Sequence, residues 1–145
     1  MPIHHQLLEL QTTDALALYN LTPQVQAFVT ASGIQNGHVL IFSRHTTTAL
    51  VVNENEERLL EDIKTYLRKL APAGDRYLHN DLHLRSVPPD EPINAHSHLM
   101  AITLHNSELV PIVAGQLALG TYQAILLCEL DGPRCRSVFV QASGE

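Results

Sequence analysis

Two β-rich runs, residues 38–44 (HVLIFSR) and 48–53 (TALVVN), follow each other with only three residues between them. A parallel pair needs a crossover of a dozen or more residues, so strands this close point to antiparallel organisation. The rest of the chain repeats the pattern. Residues 3–12 alternate loosely and read as a strand, and further strands are expected at about 108–113, 122–130 and 134–142. The last two are joined by Asp131-Gly132-Pro133, a compact turn signal.

Three segments break the strand period. Thr22-Pro23 is a hydroxyl followed by a first-turn proline, and the helix it opens is expected to run to Ser32 and stop at Gly33. Leu59, Ile63, Leu67 and Leu70 share one helical face, with Asn53 or Asn55 as the expected cap and Pro72 beyond the end. Residues 94–105 read as a shorter helix capped by Asn94 and anchored by Ala95, Leu99 and Ile102. The sum is about six strands and three helices. It predicts an α+β fold with a largely antiparallel sheet or β-sandwich, not a doubly wound parallel sheet. With no repeat or low-complexity linker, residues 1–145 read as one domain.

Nine Lys+Arg against fifteen Asp+Glu give a net charge of −6, which argues against a general nucleic-acid binder. No apolar run approaches the roughly 20 residues of a membrane helix. The opening Met-Pro-Ile-His-His lacks the regions of a signal peptide, so a cytoplasmic location is expected. Two cysteines, Cys128 and Cys135, give no disulfide framework.

Histidine is the abundant chemical residue, nine in 145. His79, Asp81 and His83 alternate, so in an extended segment all three would project to one side. His45 ends an apolar strand beside Thr46, Thr47 and Thr48. Imidazole is the commonest metal ligand, yet neither an HExxH motif nor paired CxxC spacing is present. In the final strand, alternation puts Arg134 and Arg136 on one side, where two guanidinium groups suit a phosphate or carboxylate. The same spacing suits arginines paired with Glu129 or Asp131, and spacing alone favours that pairing.

These pieces occur in a familiar order. Ser43-x-His45-Thr46-Thr47 is followed by Asn53-Glu54-Asn55 and Asp62, then Tyr77-x-His79, then Asn94-Ala95-His96-x-His98-Leu99. Ser107-x-x-x-Pro111 leads to the run from Gly115 through Leu117, Leu119 and Gly120 to Gln123, and Glu129-x-Asp131-Gly132-Pro133-Arg134-x-Arg136 closes the series. The chain resembles the YjbQ family over nearly its whole length, most specifically from Gly115 to Gln123 and at Glu129. It departs at Tyr122, where a tryptophan is usual, at His105-Asn106-Ser107, and in the long excursion from Asn80 to Ile93.

The resemblance implies a YjbQ-like, mostly antiparallel β-sandwich with about three helices, assembled as a homotrimer. It also implies weak, secondary thiamine-phosphate synthase activity and a histidine-rich metal pocket. Carried over residue by residue, His45, His79 and His98 are the expected metal ligands. Arg134, Arg136, Thr46, Thr47 and Asn53 are expected at the phosphate, with Glu129, Glu54 and Gln123 as catalytic residues. Three imidazoles favour zinc over magnesium, which prefers oxygen. The expected partner is a phosphorylated small molecule rather than nucleic acid or membrane. A metal-assisted hydrolase, with Glu129 or Glu54 as base, and a non-catalytic trimeric metal- or phosphate-binding protein are the alternatives.

Overall fold

A computed structural model describes all residues from Met1 to Glu145. Eight strands and three α-helices succeed one another: β1 (Ile3–Gln11), β2 (Ala17–Asn20), α1 (Thr22–Ser32), β3 (Gly37–Ser43), β4 (Thr48–Glu54), α2 (Glu57–Leu70), α3 (Ala95–Thr103), β5 (Ser107–Val113), β6 (Gln116–Leu117), β7 (Gln123–Glu129) and β8 (Cys135–Gly144). The strands form two antiparallel sheets, ordered β1-β8-β3-β5-β6 and β2-β7-β4. The expected α+β sandwich is what the chain forms.

Strand parity explains the layers. Leu8, Val39, Ile41, Val110, Val138 and Val140 line the inner face of the five-stranded sheet and meet Leu50, Ile125 and Leu127 of the smaller one. Val25, Phe28 and Val29 of α1 close this core. The alternate residues Ala49 and Cys128 face the other way, where Leu67 and Ala71 at the end of α2 and Met100 of α3 cover them. Both faces of the small sheet are therefore buried, and its central strand β7 reads AILLC without polar alternation.

Helix α1 begins at Thr22 with Pro23 in its first turn and ends on Gly33 at φ 75°, a left-handed C-cap that glycine adopts without strain. The Thr22 hydroxyl does not cap the helix; it accepts the backbone N–H of Ile125 at 2.8 Å. At α2 the cap is Glu56, whose carboxylate accepts from Leu59 N, rather than Asn53 or Asn55. Asn53 and Glu54 are instead the last residues of β4.

Other expectations need correction. The two strands joined by the compact Asp131-Gly132-Pro133 turn do not pair with each other: β7 and β8 belong to different sheets, and the turn carries the chain across the sandwich. Residues 78–80 and 82–84 are short 3₁₀ turns, so His79, Asp81 and His83 do not share one side of an extended segment. Helix α3 buries Ala95, Ser97 and Met100, whereas Leu99 and Ile102 are exposed. Its N-cap residue Asn94 makes no capping bond and turns to Asp131.

Candidate functional site

Strand β3 ends at Ser43, and the next four residues bridge to the other sheet. The Ser43 and Thr48 hydroxyls, both buried, hydrogen-bond across the base of this bridge. Arg44, His45 and Thr46 are thereby presented outward. Opposite them runs the β7–β8 connection with Asp131 and Arg134, and α3 contributes His98 from the side. Together they line a mostly polar cavity of about 760 Å³.

His45 has a defined tautomer. Strand β3 stops opposite Val138, leaving the Ser137 N–H of β8 without a β3 carbonyl. His45 Nε2 accepts that N–H at 2.8 Å. The neutral ring, assigned from this bond, therefore carries its proton on Nδ1 as a donor. Burial, then the Arg136 charge, holds its pKa below 6.5.

Beneath the cavity floor lies a buried ion pair. Arg136 is in phase with the inward residues Val138 and Val140, and Glu129 is in phase with Ile125 and Leu127, so the two side chains meet between the sheets. Arg136 Nε donates to Glu129 Oε1 at 2.8 Å and Nη2 to Oε2 at 2.6 Å. Glu129 also accepts from Thr12 Oγ1 at 2.7 Å and from Asp131 N at 3.0 Å. Burial alone would raise its pKa, but bonds from Arg136, Asp131 and Thr12 outweigh that and hold it below the usual carboxylate range. Arg136 Nη2 donates further to Thr47 Oγ1 at 2.9 Å.

This overturns two expected roles. Glu129 is fully buried with both oxygens engaged, so it is not an available base. Arg136 and Thr47 hold the floor rather than reaching for phosphate. Arg134 precedes β8 and is partly exposed; its Nε and Nη2 hold the Asp131 carbonyl and carboxylate at 2.8 and 3.0 Å. Arg134 and Thr46 remain at the cavity. Arg44, overlooked by the sequence reading, joins them with no carboxylate partner. Its position next to His45 in the run SRHTT was the available signal.

Asn53, Glu54 and Gln123 are elsewhere. Glu54 pairs with Gln123, and Asn53 with Ala124, at the opposite end of β4 and β7 from Glu129. Gln123 and Glu129 are the two ends of the seven-residue β7, roughly 20 Å apart at about 3.3 Å per residue. One chain does not bring them to the cavity.

His98 borders the cavity and meets His79 edge-on, with ring centroids 4.8 Å apart. Burial, and secondarily His79, lowers the His98 pKa. His79 Nε2 is buried without a partner. The expected trio does not fit a metal within one chain: His45 Nε2 is committed to Ser137, and no three His, Cys, Asp or Glu side chains converge on a common point.

Comparison with known proteins settles the lineage. The family model "UPF0047 protein YjbQ-like" matches residues 6–145. The chain is a member of the YjbQ family. A UPF0047 protein of Methanothermobacter thermautotrophicus is 40% identical over 145 residues, covering 100% of this chain and 95% of its own. One from Archaeoglobus fulgidus is 44% identical over 135 residues, covering 93% and 98%. The crystal structure of a YbjQ-like protein of unknown function from Sulfolobus solfataricus P2 superposes with a TM-score of 0.89 at 37% identity, covering 99% of each chain. A hypothetical protein from Aeropyrum pernix K1 gives 0.89 at 35%, covering 98% and 99%. The YjbQ fold thus extends across the whole of this chain, and none of its helices is long and apolar enough to cross a membrane.

Proposed function

We propose that this YjbQ-family protein is a small cytoplasmic enzyme that binds a phosphorylated small molecule in the cavity between the β3–β4 bridge and the β7–β8 connection. The observation that carries the reading is the convergence of Arg44, Arg134, Thr46 and a His45 ring that donates from Nδ1. Arg44 has no acid to neutralise it, and Arg134 keeps one terminal nitrogen free of any bond to protein. Guanidinium groups and hydroxyls together suit tetrahedral oxyanions. The Glu129–Arg136 pair keeps the floor rigid and electrically neutral; on the rim Arg134 is balanced by Asp131 and Glu91 by Arg85, so Arg44 is the unpaired charge.

For the reaction, we take forward the weak thiamine-phosphate synthase activity that the resemblance implies. There a thiazole-phosphate nitrogen displaces pyrophosphate from a pyrimidine methylene carbon. This chain's contribution would be to hold the departing pyrophosphate with Arg44, Arg134 and the His45 Nδ1–H as charge develops on it. No step is assigned to a metal, because His79 and His98 alone are two donors and zinc or magnesium would need ligands beyond them. The homotrimer belongs to the same proposal: a neighbouring subunit is the route by which Asn53, Glu54 and Gln123 would reach a cavity.

Incubating the purified chain with pyrimidine pyrophosphate and thiazole phosphate tests the reaction. Thiamine phosphate should form, with Arg134→Ala reducing turnover at least tenfold. Saturable pyrophosphate binding with no product would instead favour a non-catalytic binder.

A further inference from the structure

On the far side of Asp131 lies a second cavity, of about 890 Å³, that the phosphate reading does not use. Two helices wall it with paired residues. Lys64 and Arg68 lie four apart on α2, and His96 and Met100 lie four apart on α3, so each pair shares one helical face. Met100 and Leu130 belong to the second hydrophobic cluster, and Leu16 packs against it, so this part of the wall is apolar.

The polar groups are unevenly satisfied. Lys64 is paired with Glu61 at 2.7 Å. Asp131 is held by Arg134 and by Asn94 Nδ2, the latter at 2.7 Å. Arg68 has no carboxylate within ion-pair distance. His96 Nδ1 is buried without any hydrogen-bond partner, while Nε2 has only the Ser97 hydroxyl at 3.5 Å. The His96 ring lines the cavity beside the unpaired Arg68, while its Nδ1 is itself enclosed by protein.

We propose that this cavity is a second ligand site, taking a small monocarboxylate with an apolar body. The carboxylate lies at Arg68, and the apolar body lies against Leu16, Met100 and Leu130, with the His96 ring on the same wall. Asp14, on the same wall, adds negative charge that disfavours a dianion. This separates the site from the phosphate cavity, whose rim carries Arg44 and Arg134. Asp131 lines both cavities, so occupancy of one can be felt at the other.

The test is an amide-resolved NMR titration of the full chain with phenylacetate, which has one carboxylate and one apolar ring. Expected are saturable shifts at residues 14–16, 64–73, 96–100 and 130, and at least fivefold weaker binding in Arg68→Ala. Arg68 is exposed and free of ion pairs, so this variant retains the fold, and pyrophosphate should bind it as it binds the unaltered protein. Shifts that do not saturate, that centre on Arg44 and Arg134, or that are unaffected by Arg68→Ala would overturn the proposal. Failure of pyrophosphate binding would count against the phosphate reading alone.

Discussion

Arg136 and Glu129 meet side-on between the two sheets through two N–H···O bonds of 2.8 and 2.6 Å, from strands that share no sheet. The pair joins the layers where the apolar core gives way to the cavity. Removing one partner from a buried ion pair leaves the other charge uncompensated, at a cost of about 3–5 kcal/mol. Glu129→Gln and Arg136→Met are each expected to destabilise the fold by that order in urea denaturation. The double variant Glu129→Gln/Arg136→Met should lose less than the sum of the two single variants. Additive losses would show that the two groups do not act as a pair.

The same pair gives stability a pH dependence. Glu129 has a lowered pKa in the folded chain, so its contribution is complete above the unfolded carboxylate range and is lost as pH falls through the folded value. His45 and His98, also lowered in the folded state, act in the same direction from about pH 6.5 downward, because the unfolded rings take protons first. Melting temperature should therefore fall as pH drops below 6.5, with Glu129→Gln flattening the more acidic part of the curve. His79→Ala should raise the NMR titration midpoint of His98 by removing the secondary cause of its shift.

The two cysteines are expected to differ sharply. Cys128 is enclosed in the small sheet, and burial pushes its thiol up to about 12. Cys135 opens β8 and is exposed, its Sγ donating to Gln11 Oε1 at 2.8 Å. Iodoacetamide at pH 7.5 should label Cys135 alone in the native protein and both residues in urea, read by intact mass.

Gly132 sits where the crossing turn passes another segment. A Cβ there would lie 2.2 Å from the Asp14 carbonyl oxygen and 2.8 Å from Glu129 Cγ. Backbone has little room to move, so Gly132→Ala should cost about 1–3 kcal/mol, the range of overpacking. Gly74→Ala, with nothing within 4 Å, should be near neutral in the same denaturation assay.

Much of the fold was legible because local signals agreed with tertiary needs. Pro23 and Gly33 bracket α1, and the Leu59–Leu67 periodicity places α2. Strands β2 and β6, with four and two residues, are too short to show a period. The turn at Asp131-Gly132-Pro133 fits a hairpin locally; only the partner strands reveal that it crosses between sheets. At the site, Arg136 shares parity with Val138 and Val140, a pattern that marks it as inward, and pairing with Glu129 was one of the two readings its spacing allowed. The expected strand at 122–130 already set Gln123 and Glu129 at opposite ends, but sequence order could not show which end meets the cavity. Nor could it show that His45 spends its Nε2 on a strand-end N–H.

The central claim is that the cavity beneath Arg44 and Arg134 is an anion site. Isothermal titration of pyrophosphate at pH 7 and low salt measures it directly. Saturable binding is predicted, weakened about tenfold, or 1.4 kcal/mol, by Arg44→Ala and similarly by Arg134→Ala. No saturable heat, or unchanged affinity in both variants, would contradict it.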